Sequence, residues 1–133
     1  MKLAGAVITW TSRLQKTVAL SSTEAEYMAM SDACRQAMWF LSLFSEIGFK
    51  ITSIPITGDN MGSLFMGKNP ITEKRSKHID IWYHYIREII AAGHVKTFFI
   101  EGTNNPADVM TKNLGRILFV KYREQLGLQI LSD

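Results

Sequence analysis

The most informative segment of the chain is Ser21-Ser22-Thr23-Glu24-Ala25-Glu26-Tyr27-Met28-Ala29, in which an acidic helix start follows a strand-like run. Ser21 and Glu24 have the spacing of a capping box, in which each side chain accepts a hydrogen bond from the other residue's backbone N–H. Apolar residues then recur at helical spacing, namely Tyr27, Met30, Cys34, Met38 and Leu41. The stretch therefore predicts a long helix that begins at Ser21 or Ser22 and ends near Gly48.

Sequence patterns on both sides of this helix predict the remaining elements. Strands are predicted where β-branched and aromatic residues cluster, at 6–11, 17–20, 54–57 and 95–100. Further helices are predicted at 60–66, at 76–92, in a segment opened by Asn105 as N-cap and Pro106, and at 116–126. The resulting order, ββαβααβαα, indicates an α/β domain with a mixed sheet.

Length and composition bound the class of protein. The 133 residues, of which 47% are hydrophobic and 20% charged, predict one globular domain over 1–133 rather than a disordered chain. A formal charge of +3 permits a nucleic-acid partner without requiring one. Cys34 is the single cysteine, so an intracellular protein of the cytoplasm or nucleus is expected. No apolar run approaches the roughly 18 residues of a membrane span, so no membrane partner is expected.

Three acids stand in settings that suit a divalent metal: Glu26, Asp59 and Asp108. Asp59 follows the predicted strand 54–57, at the strand end where α/β proteins commonly bind ligands. Phosphodiester hydrolysis often uses two metal ions about 3.5–4 Å apart, and Mg²⁺ prefers oxygen ligands. Each acid also has an ordinary explanation, because Glu26 and Asp108 would be stabilised near helix N-termini and Asp59-Asn60 would cap a helix. The case for a site therefore rests on the combination.

A basic segment, Lys74-Arg75-Ser76-Lys77-His78, precedes and opens the predicted helix 76–92. Phosphates are attracted to cationic side chains and to helix-end amides, which makes Arg75, Lys77 and His78 candidates for contacts to a nucleic-acid backbone. The alternative is a solvated charge cluster beside a helix. A zinc site is not favoured, because no pair of His or Cys residues has ligand spacing.

Four segments, in this order, resemble the ribonuclease H domain of copia-type (Pseudoviridae) retrotransposon polyproteins. They are 17–29 with Glu26 at the position of the catalytic glutamate, Asp59-Asn60, the segment 75–81, and 105–112 with Asp108. The resemblance implies a ribonuclease H-like mixed sheet flanked by helices and hydrolysis of RNA in RNA–DNA hybrids. It further implies Mg²⁺ or Mn²⁺ as cofactor and Glu26, Asp59 and Asp108 as catalytic metal ligands. Arg75, Lys77 and His78 would contact the hybrid.

Two departures from the family pattern shape the expectations. The family's first catalytic aspartate lies on a strand upstream of the segment resembling 5–10, whereas four residues without an acid precede Gly5 here. We therefore expect a sheet lacking the first strand and most of the second, weak metal binding, and impaired activity. The loop 100–105 also lacks the histidine of many related ribonucleases H. A homodimer, or association with another chain, is expected to complete the sheet.

Two other functions remain open at this point. The chain is alternatively a domesticated, non-catalytic module that binds nucleic acid or protein, or a structural subunit completed by another chain. A magnesium-dependent cleavage assay on an RNA–DNA hybrid separates the enzyme from both. Hybrid binding in EDTA separates the remaining two.

Overall fold

The computed structural model describes residues 1–68 and 77–129. The chain forms two compact units. The terminal unit combines Met1–Val18 with Glu101–Asp133, and the central unit is Ala19–Ile100. That the whole chain behaves as one domain stays a prediction.

The central unit begins with helix α1, Ser22–Glu46, as the capping pattern predicted. The Ser21 hydroxyl oxygen accepts a hydrogen bond from the Glu24 backbone N–H at 3.1 Å. The Glu24 carboxylate accepts from the Leu20 N–H at 2.5 Å, one residue before the capping-box partner that the sequence predicted. Gly48 follows the helix with φ +86°, a left-handed conformation that favours glycine and ends the helix.

Helix α1 supplies much of the core of the central unit. Its buried face comprises Tyr27, Met28, Met30, Ser31, Cys34, Ala37, Phe40 and Leu41. The predicted stripe is confirmed except at Met38, which is half-buried, because Ala37 takes the inward position of that turn. The Tyr27 ring stacks on Tyr83 with centroids 4.2 Å apart. Burial raises the pKa of the Cys34 thiol to about 11.

The other elements of this unit are β3 (Ile54–Gly58), α2 (Met61–Lys68), α3 (Lys77–Ala91) and β4 (Val95–Phe99). Strands β3 and β4 pair in parallel, from Ile54 opposite Val95 to Gly58 opposite Phe99. The crossover between them carries α2 and α3, as parallel strands require. Helix α1 packs against α2, α3 and β3. The predictions for these strands and for both helices are confirmed to within two residues at each described end.

The terminal unit contains a short hairpin and helix α4 (Arg116–Gln125). Strands β1 (Lys2–Leu3) and β2 (Ala6–Val7) pair antiparallel across a turn in which both central residues have positive φ. The Val7 N–H donates to the Leu126 carbonyl at 3.1 Å, which attaches the hairpin to the end of α4.

Several strand predictions were wrong. The predicted strand 6–11 is limited to Ala6–Val7, and 17–20 forms no strand. Within the described residues the architecture is mixed α/β, but the strands form two separate two-stranded sheets rather than one larger mixed sheet. The reason is that β-branched composition suits a pleated surface, whereas a strand exists only where a neighbouring strand pairs with it. The predicted helix at Pro106 is a 3₁₀ helix, Pro106–Met110.

Candidate functional site

Asp59 lies at the carboxyl end of β3, half-buried, immediately before Asn60. Asn60 caps helix α2, because its side-chain oxygen accepts from the Ser63 N–H at 2.9 Å. The Ser63 hydroxyl donates back to the Asn60 carbonyl at 2.8 Å. The capping role suggested for the Asp59-Asn60 pair therefore falls to Asn60, and it fixes the backbone beside the Asp59 carboxylate.

A contact between Asn60 and Thr23 joins this segment to the first turn of α1. The Asn60 side-chain amide donates to the Thr23 hydroxyl oxygen at 3.4 Å. A Cβ on Gly62 would lie 3.0 Å from Thr23 Cγ2 and 3.1 Å from Asn60 Oδ1. The start of α2 thus approaches α1 closely because residue 62 has no side chain. The roles of Thr23 and Gly62 could not be predicted from the sequence, because they depend on this tertiary contact.

Glu26 follows Thr23 by three residues and is exposed on α1. Residues three apart are neighbours on a helix surface, so Glu26 and Thr23 are neighbours on the surface of α1. Tyr27, the next residue, is buried, and its hydroxyl donates to the Tyr83 carbonyl at 3.5 Å. The structure therefore presents Glu26 and Asp59 from neighbouring segments of the central unit.

Asp108 belongs to the terminal unit, at the third position of the 3₁₀ helix. Asn105 caps that helix as predicted, its side-chain oxygen accepting from the Ala107 N–H at 3.2 Å. The Asp108 carboxylate forms an ion pair with Lys112 at 2.9 Å and is largely shielded from solvent. In this structure the Asp108 carboxylate therefore already has a cationic partner.

The donor chemistry of Glu26 and Asp59 fits a hard divalent cation. Mg²⁺ is commonly bound by one or two carboxylates and keeps several waters, so a complete protein cage is not needed. Across residues 1–68 and 77–129, no cluster of three or more His, Cys, Asp or Glu side chains is arranged to hold a metal ion. That Glu26 and Asp59 bind a metal ion stays a prediction.

The basic segment is described in part. Arg75 lies outside the described residues, and Lys77 and His78 are the first two residues of α3. Their role in contacting a nucleic-acid backbone stays a prediction.

The chain is homologous to a segment of retrovirus-related Pol polyproteins from plant transposons. It is 36% identical over 125 residues to the polyprotein of transposon TNT 1-94 from Nicotiana tabacum. The matched segment covers 94% of this chain and 9% of that protein. Identity is 35% to transposon RE1 and 34% to RE2 from Arabidopsis thaliana, each over 122 residues, covering 91% of this chain and 8% of each polyprotein.

The chain therefore spans less than a tenth of the length of these relatives. It matches no family model and no solved structure. Within the part of the chain that the structure describes, every helix is too short or too polar to cross a membrane.

Proposed function

We propose that this chain is a ribonuclease H-type segment of a retrotransposon polyprotein, acting in metal-dependent hydrolysis of the RNA strand of RNA–DNA hybrids. The observation that carries the proposal is the Thr23–Asn60 contact. It joins the segments of Glu26 and Asp59 at the carboxyl end of β3, a place where α/β proteins commonly bind ligands. The homology to Pol polyproteins supports the origin in a retrotransposon polyprotein.

In this proposal Glu26 and Asp59 hold Mg²⁺ or Mn²⁺ through carboxylate oxygens. The resemblance assigns Asp108 as a third ligand and Arg75, Lys77 and His78 as contacts to the hybrid backbone. Bound ions of this kind activate water and stabilise the charge that develops on phosphate oxygens. The Asp108–Lys112 ion pair competes with a metal for the same carboxylate, so the affinity is expected to be weak.

Replacing a ligand should weaken metal binding. In a calorimetric titration with Mn²⁺, Glu26→Gln and Asp59→Asn are each expected to lower affinity by at least about tenfold, since even outer-shell partners of metals contribute about 10- to 100-fold. Glu88→Gln is the matched control, because Glu88 is an exposed acid on α3. Wild-type affinity in both ligand variants would place any metal elsewhere.

The assignment of Asp108 has its own test in the same titration. If Asp108 is a ligand, Asp108→Asn weakens binding and Lys112→Ala strengthens it, because the competing cation is gone. A structural ion pair predicts no change in metal affinity for either variant.

Catalysis distinguishes this function from its alternatives. With Mg²⁺, the 133-residue chain is expected to cleave a hybrid slowly, because three carboxylates are an incomplete ligand set for two ions. Hybrid binding in EDTA without any cleavage in Mg²⁺ would favour the domesticated binding module. Absence of both binding and cleavage would favour a structural subunit.

We also propose that the chain forms a homodimer, or associates with another chain, through the sheet of the central unit. Within the described residues β3 and β4 pair only with each other, and parallel sheets are ordinarily covered on both faces. Phe98 and Phe99 of β4 are each about half exposed. A two-stranded sheet is marginal alone, so pairing with further strands would stabilise it.

Sedimentation velocity at micromolar concentration tests this association. We expect a dimer that Phe98→Ser weakens. Phe119→Ser is the control, since Phe119 is similarly exposed but lies on α4. A compact wild-type monomer would contradict the proposal.

A further inference from the structure

An exposed arm follows the hairpin of the terminal unit. Residues 8–18 form neither helix nor strand. Trp10 in the arm is 67% exposed, an unusual state for the largest aromatic side chain. The Arg13 and Lys16 side chains, three and six residues further along, are exposed as well. The arm therefore combines an accessible aromatic face with two accessible cations.

Two hydrogen bonds attach the arm to the rest of the terminal unit, one on each side of Trp10. At its start the Ile8 N–H donates to the Met1 carbonyl at 3.0 Å. Further along, the Ser12 hydroxyl donates to the Met110 carbonyl at 3.0 Å. Met110 is the last residue of the 3₁₀ helix that carries Asp108, so the arm runs beside that helix within the terminal unit.

The charge of the chain is concentrated in the same unit. Residues 1–18 and 101–133 contain seven Lys and Arg against four Asp and Glu, whereas residues 19–100 contain eight of each. The formal charge of +3 therefore belongs to the terminal unit alone. No acid occurs before Glu24, so the arm carries positive charge without an acidic neighbour in sequence.

We propose that this arm binds single-stranded nucleic acid, with Trp10 stacking on an unpaired base and Arg13 and Lys16 contacting phosphates. Base–aromatic stacking tolerates any sequence and is typical of proteins that bind single strands along a basic groove. The inference rests on the proposed function only for the class of substrate, a hybrid with a single-stranded overhang. A second copy of the chain fits the arm less well, because two surfaces of like charge would meet.

Fluorescence anisotropy in EDTA tests the aromatic contact. The probe is a labelled RNA–DNA hybrid with a DNA overhang, compared with the blunt hybrid. Trp10→Ala is expected to weaken binding of the overhang probe by about fivefold or more and to change blunt binding little. Trp10→Phe keeps a stacking face and should bind nearly as wild type. Trp39→Ala is the control, because Trp39 is exposed on α1 in the neutral central unit.

Salt dependence tests the two cations. The measured quantity is the slope of the logarithm of the association constant for the overhang probe against the logarithm of the salt concentration. In the double variant Arg13→Ala/Lys16→Ala this slope should become shallower by about 1.4, since each contact to a single-strand phosphate contributes about 0.7. Lys50→Ala/Lys96→Ala removes two exposed lysines of the central unit and should leave the slope unchanged.

Wild-type affinity in Trp10→Ala with an unchanged salt slope in the double variant would overturn the proposal. A dimer that Trp10→Ala converts to monomer without loss of nucleic-acid affinity would also overturn it, by assigning the arm to a protein contact. EDTA keeps this test separate from the carboxylate site, because it removes the divalent ion on which the proposed hydrolysis depends.

Discussion

Replacing Gly127 with alanine is expected to destabilise the terminal unit by about 2–5 kcal/mol. Gly127 has φ +76°, a conformation that costs an L-residue about 1–2 kcal/mol. A Cβ there would also lie 2.5 Å from the Gly5 carbonyl oxygen and 2.9 Å from Ala6 Cα. Both are backbone atoms, so the hairpin would have to move away from the end of α4, at a further cost of about 1–3 kcal/mol.

Gly93→Ala separates the two contributions. Gly93 has the same φ of +76°, but nothing lies within 4 Å of where its Cβ would be. Its replacement should cost the conformational part alone, about 1–2 kcal/mol. Urea denaturation followed by circular dichroism measures both variants. Equal losses of unfolding free energy would show that the close approach of hairpin and helix does not contribute.

Ile86→Ala should destabilise the central unit by about 2–5 kcal/mol. Ile86 of α3 is 0% exposed, and its Cγ2 would lie 3.6 Å from a Cβ on Gly67 of α2. Removing three carbons at this point leaves a cavity between helices that the surroundings fill only in part. Ile81→Ala is the control on the same helix, because Ile81 is 66% exposed and truncation there should change stability by less than about 0.5 kcal/mol.

Gly127→Ala and Ile86→Ala together also test whether the chain unfolds as the single domain that its length predicts. Gly127 lies in the terminal unit and Ile86 in the central unit. In a single cooperative domain both substitutions lower the midpoint of one shared transition. Separate transitions, each moved by one substitution, would show that the units unfold independently.

Features set by local interactions could be predicted from the sequence. The start of α1 follows from Ser21 and Glu24, which lie within one turn of each other, and its buried face follows from a helical period. The predicted strands 6–11 and 17–20 failed because a strand needs a partner that composition does not reveal. Within the predicted strand 6–11, Val7 is the last residue that pairs with another strand.

In the candidate site, too, some features are set by neighbouring residues and others depend on the tertiary structure. The place of Asp59 directly after a strand and the cap at Asn105 follow from neighbouring residues. The Asp108–Lys112 pair has i,i+4 spacing, so this ion pair could also have been predicted from the sequence. The Thr23–Asn60 contact joins residues 37 positions apart and required the tertiary structure. Whether Glu26, Asp59 and Asp108 act together stays a prediction.

The single thiol of the chain allows the rate of opening of the central unit to be measured. Cys34 is 0% exposed, and burial raises its pKa to about 11, so at neutral pH it is both inaccessible and protonated. The thiolate is the form that attacks alkylating reagents, and it forms readily only after the surrounding helices separate. Because the terminal unit has no cysteine, the rate of labelling in native buffer measures the exposure of Cys34 in the central unit.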